Sequence, residues 1–345
     1  MPGEFRPICP RPSALTRPVA TDPSGAAGPT LGQARGPGWR QTTYGFHVPS
    51  TVSDSVPEQR ILEESMRLPP EGVVTGWAGC RLARAAYFDG MDPDNVTSQP
   101  VPLLVPPSSR LRTLAGSTVS REPYAGGVRR VAGIPTATPV RSIFDEMRRV
   151  RDPREAVVAM DMMAAAAQVS IAECRAYLAP RRSWRRARQV AWALDLASER
   201  SLSPGEVRMR LIWVLDAGLP APLVNQPVFD LHGRLICIAD LFDPMAGVVG
   251  EYDGATHLRL GRRARDIDRE ERCRRADLEY FKVTGVDVHD RPKVVDRMVV
   301  TRARAPRLRG IRGGWTLVTP PWWHRETAED LLAQRDWLRA QDPSA

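Results

Sequence analysis

Lysine is almost missing from this 345-residue chain: it stands only at positions 282 and 293, and arginine supplies 47 of the 49 basic side chains. Chemistry that needs an ammonium group therefore has two candidates, Lys282 and Lys293. Cysteine is sparse as well. Cys9, Cys80, Cys174, Cys237 and Cys273 are scattered, odd in number and include no C-x-x-C pair. That pattern argues against a disulfide framework or a zinc site, and the expected compartment is reducing and cytoplasmic. No apolar run approaches the roughly 20 residues of a membrane span, and the first residues lead into Pro and Gly rather than an apolar signal segment. Large apolar residues are also few up to about Gly38, where Pro, Gly, Ala and Thr dominate. This composition predicts a disordered leader over 1–38 with no function of its own.

The remaining chain is longer than one hydrophobic core usually grows, so two domains are expected. The net charge of +9 and pI near 9.8 suit a nucleic-acid partner, and GC-rich codon usage explains them equally well. Apolar periodicity predicts helices over 57–68 and 75–87, strands over 102–105, 117–121 and 127–134, then helices over 139–150, 153–167, 170–178 and 183–198. The Ala-rich stretch from Met160 to Ala167 reads as tight helix packing. Residues 39–180 thus form one mixed domain, 181–200 a basic helical linker, 201–305 a second domain and 306–345 a helical tail. Trp315, Trp322 and Trp323 in that tail are expected to fasten its helix to the core. The fold class predicted is α+β in two domains.

Acidic residues recur at the ends of short elements in the second domain. Val248-Val249-Gly250-Glu251-Tyr252-Asp253 reads as a buried strand, and its period of two sets Glu251 and Asp253 on one face with Val249. A second apolar run, 234–240, follows the hairpin-like Asp230-Leu231-His232-Gly233 and exits at Asp240. Antiparallel pairing of the two brings Asp240 near Glu251 and Asp253. Two unit charges about 4 Å apart repel by roughly 4 kcal/mol at an effective dielectric near 20, so the cluster needs a cation or a shifted pKa. All-oxygen ligands favour Mg²⁺ or Mn²⁺ over zinc. Each acid also has a plainer reading: Asp240 capping a turn before Pro244, Asp253-Gly254 forming a hairpin turn, and Glu206 closing a capping box in Ser203-Pro204-Gly205-Glu206. The helix opened there is predicted to lay Val207, Leu211, Val214 and Leu215 on the sheet.

His257, four residues past Asp253, is a candidate proton carrier or a surface histidine. The arginine-rich segment after it includes Arg262 and Arg263 and suits either phosphate contacts or ion pairs with Asp266, Asp268, Glu270 and Glu271. Arg181-Arg182-Ser183-Trp184-Arg185-Arg186 makes a second basic run, where Arg185 and Arg186 could grip a backbone beside a stacking Trp, or simply open a solvated helix.

Over about residues 200–305 these motifs, Ser-Pro-Gly-Glu, the strand into Asp240, Gly-Glu-Tyr-Asp-Gly with His257, the arginine-rich helix and Tyr280-Phe281-Lys282-Val283-Thr284, resemble the very-short-patch-repair-like branch of the PD-(D/E)XK nucleases, as found in uncharacterised actinobacterial proteins. The resemblance implies a restriction-endonuclease-like mixed sheet flanked by helices, with Mg²⁺ or Mn²⁺ activating water against a DNA phosphodiester. It implies metal or water-orienting roles for Glu206, Asp240 and Glu251, with Asp253 standing where the superfamily pattern has Lys, and Lys282 or His257 assisting. Residues 39–180 are similar to antitoxins of type IV (abortive-infection) systems, on Val74-Thr75-Gly76-Trp77-Ala78-Gly79, Leu103-Leu104-Val105-Pro106-Pro107 and Gly133-Ile134-Pro135-Thr136-Ala137-Thr138-Pro139-Val140-Arg141 leading into Ser142-Ile143-Phe144-Asp145. Of that family's winged helix-turn-helix only a tail around 39–49 is present. The resemblances imply an endonuclease-like protein in DNA repair or defence against phage and plasmids. The alternative is an antitoxin-like DNA-binding regulator whose nuclease-like half is inactive, with a toxin or a second copy as partner.

Overall fold

The computed structural model describes residues 7–9, 14–92, 96–254, 260–311, 313–324 and 326–341. Two compact units emerge, one over Pro7–Leu194 and one containing Asp195–Ala345. Among the described residues no helix is long and apolar enough to cross a membrane.

In the N-terminal unit, β1 (Val19–Ala20), α1 (Leu31–Ala34), β2 (Trp39–Thr43) and β3 (Phe46–Pro49) come first, and the three strands pair in the order β1-β3-β2. The segment expected to be a structureless leader is therefore built, where described. Its turns are closed by side chains: Asp22 accepts the backbone N–H groups of Ser24, Ala26 and Ala27, and Thr30 forms a reciprocal cap with Gln33. These local bonds supply what a large apolar content does not. Residues 39–49 form the β2–β3 hairpin.

The same unit continues through α2 (Pro57–Ser65), β4 (Val73–Val74), α3 (Gly76–Leu82), β5 (Val101–Leu104), β6 (Ser117–Ser120), β7 (Arg129–Val131) and β8 (Ile134–Thr136) to the helices α4 (Pro139–Arg149), α5 (Pro153–Ala165), α6 (Ile171–Leu178) and α7 (Ala187–Leu196). Its five-stranded mixed sheet runs β6-β5-β4-β8-β7. The strand expected over 127–134 is instead part of a hairpin. Ala132 and Gly133, at φ +50° and +79°, form the two-residue turn between Val131 and Ile134, and two positive φ values in succession reverse the chain. The helix expected over 75–87 is shorter, because Arg84 and Tyr87 adopt positive φ. Pro at a first helical position recurs in α2, α4 and α5, and Thr138 and Asp152 cap the latter two. The boundary between units falls at Leu194/Asp195, so most of α7 belongs with the first domain rather than to a linker.

The C-terminal unit holds α8 (Pro204–Leu211), β9 (Leu223–Asp230), β10 (Leu235–Asp243), β11 (Val248–Asp253), α9 (Leu260–Arg275), β12 (Glu279–Thr284), α10 (Arg291–Arg304), β13 (Trp315–Thr316) and α11 (Ala328–Gln341). The sheet order is β12-β11-β10-β9-β13, with β11 and β12 parallel and the other neighbours antiparallel. The expected mixed sheet flanked by helices is present. On one side Met209, Trp213, Val294 and Met298 cover Leu241, Val248, Phe281 and Val283; on the other, Cys273 and Ala276 cover Val228, Cys237, Ala239 and Val249. Each buried large side chain there contributes about 1.5–3 kcal/mol. The tail joins this core: Trp315 meets Phe242 edge-on at 5.1 Å and Trp323 meets Phe229 at 5.3 Å.

One stripe departs from expectation. After Leu211 the helix widens into a π-helical turn over Ile212–Asp216, whose longer repeat rotates the register. Val207, Met209, Leu211, Ile212 and Trp213 are buried, while Leu215 is exposed.

Candidate functional site

Asp240 lies inside β10, three residues before its end, rather than at a strand exit. The β10–β11 register pairs Leu241 with Gly250 and Phe242 with Val249; continued by one pair, it sets Asp240 across from Glu251. The parallel β11–β12 register sets Glu251 beside Lys282. On the other side of β10, Ala239 pairs with Gln226 and Leu241 with Val224, so Asn225 is the residue across from Asp240. Asp240, Glu251 and Lys282 thus stand in a row on three neighbouring strands, with Asn225 on the fourth.

Helix α8 delivers Glu206 to this row. Ser203 caps the helix by accepting the Glu206 N–H, as expected of Ser-Pro-Gly-Glu. The Glu206 carboxylate is tied in turn by Ser203 Oγ at 2.8 Å, Leu202 N–H at 2.9 Å and Asn225 Nδ2 at 2.7 Å. The approach of helix to sheet depends on Gly205, because a Cβ there would fall 1.9 Å from the Tyr252 ring. Asn225 adopts φ +46°, which turns its amide onto both Glu206 and the Arg200 carbonyl, the latter at 2.8 Å. Cap and site residue are compatible roles for Glu206.

Electrostatics mark the row more sharply than distances do. Burial pushes the Asp240 carboxyl well above the ordinary range, and the negative charges of Glu251 and Glu206 push it further. The Tyr252 N–H, donated to Asp240 Oδ2 at 2.8 Å, and the Arg269 guanidinium act in the opposite direction. Glu251 is only 6% exposed, and Arg269 Nη1 on α9 donates to its Oε2. Asp253 is more open and lies 3.7 Å from Lys282 Nζ. The sequence-predicted Glu206, Asp240, Glu251, Asp253 and Lys282 are therefore brought to one end of the sheet, the first three coupled by charge and the last two as a pair. His257 lies outside the described residues.

Cysteine chemistry does not compete. All five thiols are free and buried; burial pushes Cys174 up to about 12, and the Cys273 thiol together with burial keeps Cys237 protonated.

The arginines singled out for nucleic acid fare differently. Arg186 is committed to structure: its Nη1 donates to the carbonyls of Arg148, Arg149 and Val150 at 3.0, 3.2 and 2.8 Å, where α4 ends and its carbonyls lack helical partners. Trp184 is likewise flanked by Arg141, Arg148 and Arg181 at 5.1–5.6 Å rather than presented for stacking. Arg185 is exposed. Arg262 and Arg263 lie in α9, with their side chains outside the described ones.

Sequence reasoning missed Asn225 and took Arg269 only as one of the arginines in the segment suited to phosphate contacts or ion pairs, not as a partner of Glu251. Arg269 was legible in outline, since it shares a helical stripe with Cys273 and Ala276, which face the sheet. Asn225-Gln226 is a polar pair interrupting an otherwise apolar strand, and that interruption was the available signal.

Among the described residues, no three His, Cys, Asp or Glu side chains are grouped closely enough to hold a metal by themselves. A magnesium site asks for less: one or two protein carboxylates, with waters and substrate phosphate completing the shell. The donor set of Asp240 and Glu251, two neighbouring carboxyl groups with hard oxygens, fits that requirement. No protein-family model, curated protein or solved structure matches the chain, so the reading of this site rests on its own geometry.

Proposed function

We propose that the C-terminal unit is a divalent-metal-dependent endonuclease that hydrolyses DNA phosphodiester bonds. The supporting observation is the convergence of Asp240, Glu251 and Glu206, where burial first and the two neighbouring carboxylates second push the Asp240 carboxyl well above its ordinary range. Asp240 and Glu251 would hold Mg²⁺ or Mn²⁺, with Glu206 or Asp253 completing the donor set. A bound ion supplies Lewis-acid polarisation of the phosphate and lowers the pKa of water. The protein's own part is positional. Asn225, Ser203 and the Leu202 N–H fix the Glu206 carboxylate, and the Tyr252 N–H fixes Asp240. Lys282, on the strand beside Glu251, would balance charge developing on phosphate oxygens. DNA as the polymer follows from the family resemblance alone, as does a role in repair or defence.

One observation favours a second reading, a DNA-binding regulator of antitoxin type with an inactive nuclease-like half. Arg269 already engages Glu251, and Lys282 engages Asp253, so two acids have protein counter-ions. A toxin or a second copy of the chain is the partner that reading would recruit. Plasmid and oligonucleotide cleavage with Mg²⁺ or Mn²⁺ separates the two. The enzymatic reading expects cutting that Asp240→Ala and Glu251→Ala each abolish. An inert parent that still shifts DNA supports the regulator, and cutting indifferent to both substitutions rejects Asp240 and Glu251 as its machinery.

A further inference from the structure

A cleft of about 420 Å³ opens at the outer edge of β9, lined by Arg200, Asn225, Gln226, Trp323, His324 and Glu326 among others. It exists because β13 pairs only with Phe229 and Asp230, which leaves residues 225–227 uncovered by a neighbouring strand on that side. Thr319, Trp323, His324, Glu326, Thr327 and Asp330 line the gap instead. Trp323 is anchored there by its edge-on contact with Phe229, so one wall is a fixed aromatic ring.

The charge of the lining discriminates between ligands. Among the described lining residues one cation, Arg200, faces two carboxylates, Glu326 and Asp330. Arg200 is also paired with Glu329 at 3.5 Å. The Thr327 N–H and hydroxyl hold Asp330 ionised, its pKa lowered below the usual carboxylate value. Such a lining disfavours a phosphate. It suits a flat, uncharged group with hydrogen-bonding edges: an aromatic wall for its face, and for its polar rim the Gln226 Oε1, the Gln226 Nε2 being donated to the Pro227 carbonyl at 3.1 Å. Volumes of about 300–1,000 Å³ are usual for small-molecule sites, and a nucleobase falls within the space available.

Position ties the cleft to the acidic row. Asn225 lines the cleft and at the same time holds Glu206, and it stands one strand, about 4.8 Å, from Asp240. We propose that this cleft receives a single unpaired base of a nucleic-acid strand whose neighbouring phosphate lies at Asp240 and Glu251. The proposal rests on the nuclease reading for the identity of the strand, but the base pocket itself requires no cleavage. It implies that the preferred substrate has an unstacked nucleotide, at a single-stranded segment, a flap or a mismatch.

The test is equilibrium binding of fluorescein-labelled single-stranded DNA in EDTA, so that no cutting occurs, with an abasic residue walked along the strand. The expected result is one position at which loss of the base weakens binding about ten-fold, the scale of one base stacked on an aromatic ring. In Trp323→Ala that position dependence disappears. Because Trp323 also packs on Phe229, Thr319→Trp provides a second variant: Thr319 is an exposed lining residue, and the larger ring fills the cleft without removing a core contact. It is expected to flatten the abasic profile in the same way. A parent that binds DNA with a flat profile, or a position dependence that both variants retain, overturns the proposal while leaving the nuclease reading intact. A position dependence that persists in a chain unable to cut with Mg²⁺ upholds the pocket and rejects the nuclease reading instead. Absence of DNA binding overturns the pocket.

Discussion

Within the N-terminal unit Arg141 is fully buried, yet it meets Asp145 at 2.7 Å and Glu122 at 3.5 Å, while Arg148 engages the same two acids. Two cations face two anions there, Thr75 donates a further bond to Asp145, and Trp184 and Tyr124 border the guanidinium of Arg141. In the C-terminal unit the charges of Glu251 and Glu206 both act on Asp240, and the Arg269 guanidinium acts there in the opposite direction. Burial raises the carboxyl pKa in both places, at Asp145 and at Asp240. At Asp145 its charged neighbours pull that rise back, whereas at Asp240 the neighbouring acids add to it. A balanced cluster holds a fold together; an unbalanced one stores a demand for a cation, which is the physical signature of a site.

The comparison breaks most visibly by removing one charge from each cluster. Arg141→Ala removes the nearer cation from Asp145, leaving it Arg148 at 3.5 Å, and is expected to cost about 3–5 kcal/mol, read as a lower urea midpoint for the N-terminal unit. Next in size is Gly205→Ala, where a methyl group would meet the Tyr252 ring and push α8 from the sheet. Overpacking of this kind costs about 1–3 kcal/mol. If Gly205→Ala is neutral, α8 does not depend on that close approach to bring Glu206 to the row.

Removing charge at Asp240 is expected to act with the opposite sign. Asp240→Asn keeps an acceptor for the Tyr252 N–H and removes a carboxyl that ionises more readily unfolded than folded, so it stabilises by about 1 kcal/mol at neutral pH. The effect depends on pH in a defined direction. Asp240 holds its proton more firmly folded than unfolded, so its contribution is fully favourable below the ordinary carboxylate pKa and is lost as pH rises through the raised value. The stabilisation by Asp240→Asn should therefore vanish near pH 4 and grow toward pH 8, measured as unfolding midpoints at each pH. Millimolar Mg²⁺ should raise the parent's midpoint at pH 8 and leave that of Asp240→Asn unchanged, since only a site in the folded state couples binding to stability. Equal destabilisation by Arg141→Ala and Asp240→Asn would show that both clusters are structural.

How much of this was legible in the sequence depended on whether a signal was local. Glu251 and Asp253 on one face follow from the period of a strand, and the Ser203 cap follows from four adjacent residues; both are present. The antiparallel turn through Phe242–Gly247 was legible because Asp243 and Gly247 mark it, and Asp243 also accepts the Arg302 guanidinium at 2.8 Å. What was not legible came from longer range. The π-helical turn after Leu211 shifts the buried stripe without any proline or glycine to announce it. The commitment of Arg186 to the end of α4, 36 to 38 residues away, cannot be seen in a run of arginines. The ordering of residues 14–38 rests on a few side-chain caps, which composition averages away.

The smallest expected effect probes the end of the row. Asn225 sits at φ +46°, a region that Asn tolerates and Gly enters freely but Ala does not. Asn225→Gly loses the bonds to Glu206 and to the Arg200 carbonyl, at about 0.5–1.5 kcal/mol each. Asn225→Ala loses the same bonds and adds backbone strain, so it should be the less stable of the two by about 1 kcal/mol. Because both variants remove the same Asn225 bond from the Glu206 carboxylate, Mg²⁺-dependent cleavage should fall by the same factor in each, whatever their difference in stability. If cleavage instead tracks stability, Asn225 acts through the backbone turn of β9. If cleavage is unchanged in both, Glu206 is a helix cap alone, and Asp240 and Glu251 hold the ion without it.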